Sequence, residues 1–326
     1  MTTVVNGKGE QDGTGGKGSG VAMRQVLVAS RAGGVGKTTT TTLLADALFG
    51  AGVLGKAPVQ VRSKTAIQEF EVLLGAVAAP DVTLVDVDVQ PGSDRVGSNL
   101  ARRFPRVLPF ALAPSSEALA EDPSLAFSHF DKLGKMLLER RCVVDFGANV
   151  IDTFFAWAAT ADVGVDWAAR RVGIDFVAPT TADDRAMTAA ADAIEAIQGI
   201  CLPHGVDLRC IIVLNRRDGV FDKYGASRHW KRLEDLGKKN ETVTLHLKKG
   251  PAEMWPYMDQ ALLTPTATLA MTEEEIMKKW PDMASFAARR GCNHLLAWYR
   301  DVVDDMIEAG LLAGAAPRIA GKAPAV

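Results

Sequence analysis

The chain has 326 residues, 48% of them apolar and 23% charged, with 37 Lys and Arg against 39 Asp and Glu for a formal net charge of -2. That composition supplies a core for one large or two smaller α/β domains and excludes a wholly disordered, collagen-like or coiled-coil protein. The balanced charge excludes binding of nucleic acid or acidic membrane over the whole surface, so any such contact is local.

In chain order, residues 6–20 hold seven glycines and no aliphatic or aromatic side chain, so residues 1–22 are expected to form a flexible tail. The tail lacks the apolar centre of a signal peptide. Gly13, Gly15 and Gly18 spell a dinucleotide-binding pattern there, but no strand precedes it. From Arg24 onward, β-branched runs alternate with Ala- and Leu-rich segments. The runs predict strands at 25–30, 58–62, 82–88, 142–147, 174–179, 209–215 and 242–247. Helices are expected at 37–50, 64–78, 117–140, 152–170, 183–200, 227–237 and 284–311. The fold class that follows is α/β: a mostly parallel sheet with helices on both faces, in three α/β/α layers.

After Gly250 the composition shifts to Trp255, Trp280 and Trp298 among clustered charges at helical spacing. The domain plan is therefore a sheet domain over 23–250, a helical C-terminal appendage packed on it over 251–312, and a loose Ala- and Pro-rich tail over 313–326. No apolar stretch reaches the roughly 18 to 20 residues that span a bilayer, so the chain reads as soluble, with no integral membrane association. Cys142, Cys201, Cys210 and Cys292 form no close pair, which fits buried free thiols in a reducing cytoplasm.

The strongest chemical signal is Ser30-Arg31-Ala32-Gly33-Gly34-Val35-Gly36-Lys37-Thr38-Thr39, between the first strand and the first helix. Glycines let backbone N–H groups wrap a phosphate, and the helix adds its positive N-terminal end. Lys37 then reaches the β- and γ-phosphates, Thr38 holds Mg²⁺, and the Thr39 hydroxyl reaches the α-phosphate. Gly33, Gly34, Val35 and Gly36 supply the backbone cradle. The plainer alternative is a glycine turn that binds nothing.

The segment departs from G-x-x-x-x-G-K-[ST], whose first glycine would fall on Arg31. Its Gly-Gly-Val-Gly-Lys-Thr-Thr core resembles the deviant Walker A loop of the ParA/MinD superfamily of dimerising P-loop ATPases, which partition plasmids and chromosomes or position cellular machinery. The resemblance covers roughly residues 24–250. It implies ATP and Mg²⁺ as ligands, hydrolysis of ATP to ADP and phosphate, and a homodimer formed on ATP binding. It also implies an adaptor or activator protein as partner, and a cytoplasmic, nucleoid-associated location. A plasmid-stability or conjugation-associated branch is one expectation. The family's second lysine, just before the paired glycines, crosses the dimer interface; here that position is Ala32, so slow or differently built turnover is expected, with Arg31 next door as a substitute cation.

Further along, Val143-Val144-Asp145-Phe146-Gly147 resembles the family's Walker B and switch II segment, and Asp145 is the expected holder of a Mg²⁺-bound water. Val85-Asp86-Val87-Asp88-Val89-Gln90-Pro91 resembles its Asp-x-Asp-Pro-Gln segment, whose first acid positions the attacking water, which makes Asp86 the catalytic candidate beside Lys37 and Asp145. The family carries that segment on the strand after the first helix, whereas Asp86 lies 49 residues past Lys37. Either an insertion precedes the motif or Arg62, on the run at 58–62, replaces the acid; Asp86 and Asp88 have structural roles at strand ends as the alternative. Ile211-Ile212-Val213-Leu214-Asn215-Arg216 resembles the late strand whose Asn reads adenine, and a plain strand-ending Asn competes with that reading. Pro179-Thr180-Thr181-Ala182-Asp183-Asp184 is read as a helix cap.

Residues 216–239 hold eight basic and four acidic residues with interleaved aromatics. Arg228, Lys231 and Arg232 fall near one helix face. The resemblance implies non-specific DNA binding there, against a solvated face as the alternative. Asp301, Asp304, Asp305 and Glu308 make the last helix unsuited to an anionic membrane. Two rival functions remain: a small-molecule kinase or ATP-dependent synthetase on the same loop, and a weakly hydrolysing ATP-binding scaffold.

Overall fold

The computed structural model describes residues 23–54, 64–87, 99–111, 125–238 and 242–312. A seven-stranded sheet forms its centre: β1 (Met23–Val28), β2 (Thr83–Asp86), β3 (Leu108–Pro109), β4 (Cys142–Asp145), β5 (Val172–Thr180), β6 (Leu208–Asn215) and β7 (Thr242–Leu247). The strand order is β3-β2-β4-β1-β5-β6-β7, and every pairing is parallel. The strands are apolar almost throughout because both faces are covered. On β6, Ile211 and Val213 enter one core while Cys210, Ile212 and Leu214 enter the other.

Strand order also sorts the helices. From β1 to β2 to β3 the chain steps away in one direction, and α1 (Lys37–Phe49), α2 (Lys64–Val77) and α3 (Asn99–Arg103) share one face. From β3 onward it steps the other way. The intervening α4 (Leu125–Glu139), α5 (Ile151–Thr160), α6 (Val163–Ala169), α7 (Asp184–Cys201) and α8 (Arg228–Gly237) cover the opposite face. Right-handed crossovers require this division, and they leave the first face bare over β5, β6 and β7.

The C-terminal helices cover that bare area. They are α9 (Trp255–Gln260), α10 (Pro265–Leu269), α11 (Glu273–Lys279) and α12 (Ser285–Glu308). Leu295, Tyr299, Val302 and Met306 of α12 share a buried core with Val177, Ile211, Val213 and Leu245 of the sheet and with Leu43 and Leu44 of α1. The appendage thus completes the third layer.

A buried polar joint ties this layer to α1. The Asp46 carboxylate accepts from the Thr266 backbone N–H at 2.9 Å and from the Thr266 hydroxyl, and the Tyr299 hydroxyl donates to the Leu43 carbonyl at 3.2 Å. Asp46 and Thr266 are both buried, and burial pushes the Asp46 carboxyl above its ordinary range. Thr266→Val keeps the shape but removes one donor to a buried acceptor. It is expected to cost about 1–3 kcal/mol, checked by urea unfolding.

Several boundaries differ from those expected. The helix at 152–170 is two helices, broken where Asp162 takes a left-handed conformation (φ 48°), which Asp tolerates better than most residues. The two-residue β3 had no signal in the pattern; Pro109 restricts it to the sheet edge. The run at 58–62 and the segments 1–22 and 313–326 lie outside the described residues, as does the start of the helix at 117–140. All four cysteines are buried and free. Among the described residues, no helix is long and apolar enough to cross a membrane.

Candidate functional site

Parallel strands bring the candidate residues to one edge of the sheet. The loop 31–36 leaves the C-terminal end of β1, the central strand at which the chain switches direction, and such switch points form a crevice. Gly34 and Gly36 have φ of 72° and 99°, and Gly36 is the N-cap of α1. That helix end has no side-chain cap and no acidic residue in its first turn, so no carboxylate of that turn offsets its positive pole. A Cβ on Gly33 or Gly34 would meet nothing within 4 Å, which leaves the outer arc of the loop open. Lys37 is buried, and its ammonium donates to the Ala32 carbonyl at 2.8 Å across the inside of the loop. Thr38 and Thr39, which open α1, are partly exposed.

Beside the loop, β4 pairs with both β1 and β2, and the pairing sets Asp86 directly opposite Asp145. Both carboxylates are buried, at 1% and 2% exposure. Leu84 and Val143, two residues earlier on each strand, lie in the core beneath α1, so the pleat turns both acids toward that helix. The Asp145 carboxyl is pushed up to about 7, chiefly by burial; the Thr38 hydroxyl opposes the rise, the neighbouring Asp86 adds to it, and the Thr41 hydroxyl and the Lys37 charge oppose it as well. Asp145 Oδ1 has no hydrogen-bond partner.

A buried carboxylate with an unused oxygen, a second acid opposite and a hydroxyl alongside fits a divalent cation. Thr38 and Asp145 are the residues that would hold it. Among the described residues no group of three or more His, Cys, Asp or Glu forms a self-sufficient metal site, so the remaining ligands would be water or phosphate oxygens. Asp88 lies outside the described residues. The displaced acidic motif follows α2, and β2 sets Asp86 beside Asp145, whereas Arg62, the other explanation, lies outside the described residues.

The cations beside the loop are engaged elsewhere. Ala32 packs in a small apolar cluster with Val35 and Ala186 of α7. Arg31 turns aside: its Nε donates to Asp152 at 2.6 Å, its guanidinium lies 3.8 Å from Asp192, and it sits 5.8 Å from the Phe155 ring centre. These partners, on α5 and α7, had no signal in the sequence, because only the folded chain brings them to residue 31. Asn215 is buried at the end of β6; its amide donates to the Val35 carbonyl at 3.1 Å and accepts from the Arg217 N–H at 3.1 Å. Asp183 caps α7 by accepting from the Ala186 N–H at 2.8 Å.

The basic helix is less uniform than its pattern. Arg228 and Lys231 are exposed on α8, but Arg232 is paired with Asp192 at 2.7 Å and Glu195 at 2.6 Å. Arg31 and Arg232 thus share Asp192, in a surface network running from the loop to α8. No family model matches the chain, and no curated protein matches it significantly.

Proposed function

We propose that this chain is a ParA/MinD-like switch ATPase in which ATP and Mg²⁺ favour a dimer and hydrolysis reverses it. The observation that carries the reading is the convergence, at the C-terminal edge of one sheet, of a glycine loop, an uncapped helix N-terminus, Lys37, and Asp145 paired with Asp86. The loop N–H groups and Lys37 would hold the phosphates. Thr38 and Asp145 would hold Mg²⁺, which supplies charge neutralisation at the phosphates, and Asp86 would orient the attacking water. The cargo belongs to plasmid or chromosome partition, stability or intracellular positioning, with the protein cytoplasmic and nucleoid-associated.

Ala32 and Arg31 favour slow turnover. Position 32 is packed into an apolar cluster, and Arg31 is held by two carboxylates of its own chain. A weakly hydrolysing ATP-binding scaffold is accordingly the second reading. Titration calorimetry with ATP and Mg²⁺, light scattering and phosphate release separate the two. Doubling of mass with turnover supports the switch, and doubling without turnover supports the scaffold. The absence of heat from any purine triphosphate would remove both.

Non-specific DNA binding by α8, if it accompanies the switch, rests on Arg228 and Lys231 more than on Arg232, whose charge is already paired. The double variant Arg228→Ala/Lys231→Ala is expected to reduce the slope of log affinity against log salt by about 2, since each phosphate contact contributes about 0.9. An unchanged slope would place the DNA surface elsewhere.

A further inference from the structure

We infer that Asn215 is a positioning residue for the phosphate loop, acting through the Val35–Gly36 peptide rather than by reading a base; the inference rests on the nucleotide reading of that loop. Asn215 is the last residue of β6, buried to 5% exposure and 180 positions from Val35 in the chain. Its Nδ2 donates to the Val35 carbonyl at 3.1 Å. Because that peptide is trans and planar, its C=O and N–H point to opposite sides, so holding the Val35 oxygen toward β6 turns the Gly36 N–H away from β6.

Gly36 needs such restraint. Its φ of 99° is open to glycine and closed to most other residues, and a freely rotating glycine peptide would cost entropy on binding any anion. Contact between the two residues is close: a Cβ at Gly36 would sit 2.3 Å from Asn215 Nδ2. The amide oxygen is occupied as well, accepting from Arg217 N–H in the turn Arg216–Asp218. One side chain therefore joins the loop to the turn after β6, and the direction of a ligand-facing N–H depends on it.

The test compares ATP with inosine triphosphate, which carries the same phosphates and differs at the edge of the base. Calorimetry on the full chain with Mg²⁺ is run for wild type, Asn215→Ala and Asn215→Asp. The Asp variant keeps an acceptor for Arg217 and loses the donor to Val35. Both variants are expected to bind both triphosphates at least tenfold more weakly, by the same factor for each. Thermal unfolding of the nucleotide-free proteins provides a readout of general damage, which would lower the melting temperature without changing the affinity of the folded fraction. Weakening confined to ATP would overturn the inference in favour of base reading, and unchanged affinity for both would overturn it outright. Failure of wild type to bind either nucleotide would overturn the nucleotide reading itself.

Discussion

Lys37→Ala is expected to lower the affinity for ATP by about 100-fold or more, the loss of a charge-assisted contact made by a buried ammonium. Lys37 lies inside the loop, donates to the Ala32 carbonyl, and is the cation whose charge acts on Asp145. A neutral alanine removes that positive charge and its bond to the Ala32 carbonyl. Calorimetry measures the binding, and unfolding of the nucleotide-free variant establishes that it remains folded. A folded variant that retained ATP affinity would remove the basis for assigning this loop to phosphates.

Asp145→Asn is expected to do something rarer: to stabilise the nucleotide-free protein while abolishing its response to Mg²⁺. The Asp145 carboxyl has an ordinary value of 3.8 and is pushed to about 7 in the folded chain, chiefly by burial. A raised value means that the folded state holds the proton more tightly than the unfolded state. The stability this contributes is full below 3.8 and is lost as pH rises through about 7. Asn does not ionise, so the variant escapes that loss. Its advantage over wild type should be small near pH 4 and reach the order of 4 kcal/mol by pH 8, at about 1.36 kcal/mol per unit. Urea unfolding at several pH values checks this, with nucleotide titrations in the presence and absence of Mg²⁺. An advantage independent of pH would show that the carboxylate is already compensated where it lies. Stability surrendered at a buried acid is a cost that a functional site can impose on its fold.

Much of the sheet was legible because each core strand is a short β-branched run between helical segments. The runs at 142–147, 174–179, 209–215 and 242–247 locate β4, β5, β6 and β7 closely. The glycine loop was legible for a similar reason: its glycines, Lys37 and Thr38 stand within a few residues of one another, so the candidate site is written as spacing. The break at Asp162 was not, since a single residue in a left-handed conformation leaves the apolar period on either side intact. The displaced acidic strand was legible too, since the expected helix at 64–78 and strand at 82–88 are α2 and β2, but its pairing with β4 was not, because register across a sheet leaves no mark in either strand.

What sequence by itself determined, then, is local: the α/β alternation, the glycine loop opening α1, and the residue types able to bind phosphate and a divalent cation. Tertiary structure decided everything that depends on who is next to whom. It set Asp86 against Asp145, committed Arg31 to Asp152 and Asp192, turned the Asn215 amide onto the loop, and laid the C-terminal helices over β5 to β7. The physical reason is that backbone preferences act over a few residues. Charge pairing, burial and the hand of the crossovers act through space, between positions whose distance along the chain carries no information about their distance in the fold.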